Sequence, residues 1–189
     1  MQPTENSLHA NKRGFTLLEL LITLLISAIL ISITIPSYRT LMARNLQASE
    51  INSFVHHFRL ARSLSISKAS HHVLCPSSNG ENCSPSTDWS HGFILYEDSN
   101  QNRVRDPNEV MHGVHQTEHE QNIDIHASQG RNLVVYQDDG RPSGYTTTLT
   151  FCDPDSQIPP KAVIVNNVGR VRISDSRWNG NPLICGGDI

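Results

Sequence analysis

Residues 15–35 are apolar at almost every position, and after Pro36 the pattern becomes periodic. The first run holds 21 residues with one charged group, Glu19. At about 1.5 Å of rise per residue, a helix of that length spans about 31 Å, the thickness of a bilayer core. It is expected to cross a membrane. From residue 37 to about residue 67, Tyr38, Leu41, Met42, Leu46, Ile51, Phe54, Val55, Phe58, Ala61 and Leu64 recur at steps of three and four. Arg39, Arg44, Glu50, Arg59 and Arg62 fall largely elsewhere. This is the stripe of a helix laid by one face on a sheet. Pro36 lacks an amide hydrogen and is expected to kink or loosen the helix between its two halves.

The remainder reads as short strands, at 73–75, 92–96, 110–114, 123–127, 133–137, 146–152, 162–165 and 170–173, divided by turn-rich segments such as 76–79 and 138–144. The expected architecture is α+β, with antiparallel sheets covered on one face by the amphipathic helix. The chain divides into residues 1–14, a membrane helix at 15–36, the amphipathic half at 37–70 and a globular β domain at 71–189.

Charge and cysteines place that domain outside the cell's reducing interior. Net charge is −3 over 189 residues, and without residues 1–14, which hold Glu5, Lys12 and Arg13, it becomes −4. Bulk basic attraction to nucleic acid is thereby excluded, and any such contact must come from a local patch. Cys75, Cys83, Cys152 and Cys185 all follow the apolar run. Four cysteines on an exported domain favour two disulfides. Of the three possible pairings we favour Cys75 with Cys83, closing a short polar loop, and Cys152 with Cys185, tethering the C-terminal tail. Zinc-finger spacing is absent.

Glu19 stands out, because a carboxylate near the start of a spanning helix costs roughly 2.5–3.5 kcal/mol on insertion scales and so calls for a partner or a task. The simpler reading is a Glu near the interface that reaches water. The basic pair Lys12-Arg13, then Gly14-Phe15-Thr16-Leu17-Leu18-Glu19 with Pro36 beyond, resembles the leader junction of type IV prepilins and of the pseudopilins of type II secretion. The resemblance implies that a prepilin peptidase cuts between Gly14 and Phe15, that Phe15 is then N-methylated, and that Glu19 meets the amino terminus of a neighbouring subunit during assembly. Lys12 and Arg13 would hold the leader on the cytoplasmic side. The implied partners are other major and minor pilins or pseudopilins, with residence in the bacterial inner membrane before assembly and in a periplasmic or surface filament afterwards.

Residues further on narrow the resemblance. Val73-Leu74-Cys75-Pro76, Cys83, Trp89, Gly92-Phe93-Ile94-Leu95-Tyr96, Asp98, Asn100, Asn102, Asp106 and Glu109, followed by Phe151-Cys152 and Gly169-Arg170-Val171-Arg172, are similar to the globular domain of the GspH/FimT family. That family implies a minor subunit near a filament tip, helping to initiate assembly. Between residues 161 and 177, Lys161, Arg170, Arg172 and Arg177 face only Asp175, a local excess of +3. Arg170 and Arg172, two apart in a strand, would point to one side and could clamp a phosphate. In the FimT branch a GRxR motif here is linked to DNA binding, which implies double-stranded DNA contact without sequence preference. Asn166, Asn167 and Trp178 would extend the patch. The competing readings are a solvated or ion-paired strand edge and a purely structural pseudopilin.

Two metal patterns also occur. Asp98, Asn100, Asn102, Val104, Asp106 and Glu109 fit the ligand spacing of a calcium loop, but Arg103 stands where such loops need glycine, and a self-capped hairpin loop is the alternative. His112, His115 and His119, with Glu118 and Glu120, have a spacing that suits a helix but a context that suits a surface loop or short strand. No nucleophile elbow or phosphate loop is present, so neither an enzyme nor a cofactor is expected.

Overall fold

The computed structural model describes residues 14–117, 123–128, 130–144 and 146–186, with the backbone alone at 33–36. It divides into two compact units, Met1–Arg39 and Thr40–Ile189. One helix, α1 (Leu17–Lys68), contributes to both and is continuous through Pro36.

In the first unit, every described side chain from Phe15 to Ser32 is exposed. The helix is long and apolar enough to cross a membrane. Three of its hydroxyl groups are turned onto its own backbone: Thr23 donates to the Leu20 carbonyl at 2.9 Å, Ser27 to that of Thr23 at 2.7 Å and Ser32 to that of Ile29 at 2.7 Å. These groups therefore enter an apolar environment already hydrogen-bonded.

The second unit packs the rest of α1 against two antiparallel sheets. The strands are β1 (His71–Pro76), β2 (Gly92–Asp98), β3 (Met111–Gln116), β4 (Asp124–Ala127), β5 (Val134–Tyr136), β6 (Thr147–Cys152), β7 (Lys161–Val165) and β8 (Val171–Ser174). One sheet has the order β3-β2-β1-β5, the other β4-β6-β7-β8. All eight expected strands are present with their ends moved by a residue or two, because alternating β-branched and aromatic residues between turn clusters suit half-buried strands.

The shared core lies between the helix and both sheets. Phe54 is its centre, with ring centroids 4.5 Å from Phe93, 5.3 Å from Phe151 and 6.0 Å from Trp89. Ile51, Phe58 and Ala61 on α1 meet Leu74, Leu95, Leu149 and Val163 there. On the other face of the first sheet, Val73, Cys75, Ile94 and Tyr96 form a smaller cluster that includes Cys83. Cys75 is bonded to Cys83 and Cys152 to Cys185.

Two parts of the helical stripe differ from expectation. Leu41 and Met42 are exposed, as is Tyr38 in the first unit, so burial begins further along. Glu50, assigned to the polar face, is buried, and its carboxylate accepts a 2.8 Å bond from His115 Nε2 on β3. Gln47 is also buried and donates to the carbonyls of Phe151 at 3.2 Å and Pro159 at 3.1 Å. Two polar side chains thus tie α1 to both sheets, each desolvated but partnered.

Candidate functional site

Two regions carry the candidate chemistry, one in each unit. In the first, Lys12 and Arg13 lie outside the described residues. Gly14 and Phe15 are exposed, Phe15 by 80%. Thr16 precedes the first helical residue, and its hydroxyl oxygen accepts the amide hydrogen of Glu19 at 3.2 Å. This is half of a capping box, a Thr followed three residues later by Glu, a signal already present in the sequence. Glu19 thus sits in the first turn, where the positive end of the helix dipole favours a carboxylate by about 0.3–1 kcal/mol. Part of its insertion cost is offset within its own helix.

In the second unit, β7 and β8 are joined by a turn through residues 166–169. The Asn166 side-chain oxygen accepts the amides of Val168 at 3.2 Å and Arg170 at 2.8 Å. Asn166 therefore builds the turn, and its carbonyl oxygen is not spare for a ligand. Gly169 is buried with φ +78°. A Cβ there would run into the Gly140 carbonyl oxygen and approach Tyr136 Cε1 to 3.2 Å and Arg62 Nε to 3.3 Å. Only glycine fits such a close approach. The turn is thus pressed onto Tyr136, whose phenol is pushed up by burial and eased back by the Arg62 charge.

This packing creates a groove of about 550 Å³ lined by Arg59, Arg62, Ser63, Ile66, Gly169, Arg170 and Val171. Arg59 and Arg62 come from α1, and their spacing along a helix gave no hint that they would meet the 169–172 segment. β8 begins at Val171, so Arg170 lies in the turn rather than in the regular strand. Arg172 is on β8, exposed at the sheet edge opposite Ile164. The strand-spacing argument for a two-arginine clamp therefore gives way to a groove in which Arg170 joins the helix arginines. Among the described residues, Arg59, Arg62, Arg170, Arg172 and Arg177 form no ion pair. Lys161 differs, being paired with Asp175 at 2.8 Å. Arg177 and Trp178 belong to a tight turn closed by the Gly180 amide on the Arg177 carbonyl at 3.0 Å, and do not line the groove. Trp178 is 65% exposed.

The calcium-spaced segment is a self-capped β2–β3 connection. Asp98 is buried and accepts the amides of Asn102 at 3.1 Å and Arg103 at 3.0 Å. Asp106 accepts the side-chain amides of Asn100 at 2.7 Å and Asn102 at 3.0 Å. Glu109 accepts the amides of Ser99 at 2.9 Å and Asp106 at 3.0 Å. The carboxylates are engaged by the loop's own donors. His112 and His115 lie on a strand and have separate partners, Glu97 at 3.5 Å and Glu50 at 2.8 Å, so their helical spacing has no meaning there. His119, Glu118 and Glu120 lie outside the described residues.

An apolar N-terminal helix, continued into a helix packed on antiparallel sheets, defines a pilin-like fold. The model of the prokaryotic N-terminal methylation motif matches residues 9–35. That of the type II transport protein GspH matches residues 50–169, and the chain belongs to this family. In fold it is similar to the type IV minor pilin FimU of Pseudomonas aeruginosa, with a TM-score of 0.50 at 12% identity, over 69% of this chain and 90% of that one. A second crystal form of FimU aligns with a TM-score of 0.43 at 12% identity, over 70% and 90% of the two chains. No curated protein matches the chain in sequence.

Proposed function

We propose that the chain is a minor pilin or pseudopilin: cut after Gly14, methylated at Phe15, held in the inner membrane by residues 15–36, and drawn from there into a filament whose growth it helps to initiate. The observation that carries this reading is the methylation motif on an exposed apolar helix with Glu19 in its first turn. Such a helix passes from lipid into a bundle of sister helices without meeting water, because both surroundings are apolar. Glu19 and the positive amino terminus of a neighbour then offset each other's burial and fix the axial register. Substitution Glu19→Ala is expected to leave leader cleavage intact and to reduce recovery of the chain in sheared filaments or pseudopili at least fivefold. Wild-type recovery of the variant would count against that role.

A second activity, contact with double-stranded DNA, is favoured by the groove in which Arg59, Arg62 and Arg170 converge with Arg172 close by in sequence, none of them ion-paired among the described residues. Guanidinium groups suit phosphate oxygens, and an acidic protein that concentrates them in one place restricts contact to that place. Duplex DNA titrated against the full chain in detergent should bind without sequence preference. Affinity should fall with salt at a logarithmic slope of about −3 for three or four phosphate contacts. Arg170→Gln with Arg172→Gln should abolish it. Absence of binding at 50 mM salt would leave the subunit purely structural.

A further inference from the structure

At the end of the first sheet, by the last residue of α1, three side chains from three adjacent strands converge. His72 of β1 stands directly opposite Glu97 of β2 in the register. On β3, Gly113 is opposite Leu95 and Met111 opposite Tyr96, so His112 is the extra residue of a β-bulge. A bulge re-aims a side chain. Here it brings the His112 ring to 5.1 Å from that of His72, and its Nε2 to 3.5 Å from Glu97 Oε2. One ligand atom from each of His72, Glu97 and His112 lies within 4.8 Å of the others.

We propose that His72, Glu97 and His112 form a binding site for a divalent transition-metal cation, zinc by preference. His72 is fully buried, and its Nε2 has no hydrogen-bond partner among the described residues. Its Nδ1 lies 3.3 Å from the Ser70 carbonyl oxygen. With Nδ1 donating there, the Nε2 lone pair is left free, the arrangement by which metal-ligating histidines are oriented. A buried acceptor without a donor is costly, and a cation would remove that cost. Two imidazoles and a carboxylate suit zinc and its neighbours, not calcium or magnesium, which take oxygen ligands. Bonds of about 2.0–2.2 Å require ligand atoms about 3.3 Å apart, so the cluster must tighten by about 1.5 Å at its widest.

A stand-in cation already lies beside two of the three groups. Lys68 Nζ is 2.8 Å from Glu97 Oε2 and 3.3 Å from His112 Nε2, donating to two of the groups a metal would take. Its ammonium, first among the causes, holds the Glu97 carboxyl down at about 2. The Lys68 side chain is 39% exposed and flexible enough to swing into water. Metal binding would thus exchange a monovalent tether from α1 for a divalent one joining three strands.

The full chain, purified in detergent with its disulfides intact, is titrated with Zn²⁺ against a chromophoric chelator and with Co²⁺ under visible spectroscopy. One zinc per chain is expected, with Co²⁺ bands of a four- or five-coordinate nitrogen and oxygen site. His112→Gln and Glu97→Gln should each weaken binding at least tenfold. Lys68→Met removes no ligand, only the competing charge, and should tighten binding at least threefold. Failure to bind at 100 µM Zn²⁺, or affinity unmoved by both ligand substitutions, overturns the site. So does an affinity that Lys68→Met leaves unchanged, a test that stands even where a ligand variant fails to fold. Diffuse binding by other histidines would show as affinity insensitive to all three changes.

Discussion

Gly169 decides the geometry of the arginine groove. Its positive φ and its contact with the Gly140 carbonyl leave no room for a side chain, whereas Gly180, also at positive φ, has nothing within 4 Å of a Cβ. Gly169→Ala should therefore cost about 2–3 kcal/mol in chemical denaturation, combining backbone strain with collision, and Gly180→Ala about 1 kcal/mol from the backbone alone. Equal losses would mean that the turn is not pressed onto Tyr136 as described. At this scale the sequence was only partly legible. The Gly-Arg-Val-Arg string was visible, but its meeting with Arg59 and Arg62 depends on contacts about a hundred residues apart. Glu50 was assigned to the polar face, and Gln47 was left unassigned, because polarity in a periodic pattern reads as exposure. Each is instead buried against a partner that the pattern cannot name. The cluster of His72, Glu97 and His112 was hidden for a related reason, since it requires both a strand register and a bulge.

The secondary-structure elements were far easier to read. Periodicity located α1, and turn clusters separated all eight strands, because each signal is local. The partition into two sheets was not local: β5 joins β1 across the intervening β2–β4 stretch, and nothing within residues 134–136 announces this. The disulfides act at the same scale. Cys75–Cys83 closes a separation of 8 residues and Cys152–Cys185 one of 33. By loop-closure entropy, losing the first costs about 2.5 kcal/mol and losing the second about 4 kcal/mol. Serine replacements made pairwise, followed by urea unfolding, should rank in that order. The reverse order would show that the Cys75–Cys83 loop supports the smaller core cluster more than chain entropy allows.

For the molecule as a whole, the two units have different solvents. The described apolar side chains of the first are exposed in the isolated chain, while the second has its own core and two disulfides. Under the proposed function, a subunit divided in this way is stored in a membrane and later drawn into a fibre, with the Thr16 cap and the first-turn Glu19 at its amino end. Family membership was legible because the leader junction and the strand motifs are short strings read directly. The metal site and the arginine groove depend on the folded arrangement. The most direct test of the account is the intact mass and N-terminal sequence of the protein recovered from filaments or membranes of its own host. A chain beginning at Phe15, heavier by one methyl group on its amino nitrogen, is the expected result. A working protein that still begins at Met1 would contradict it.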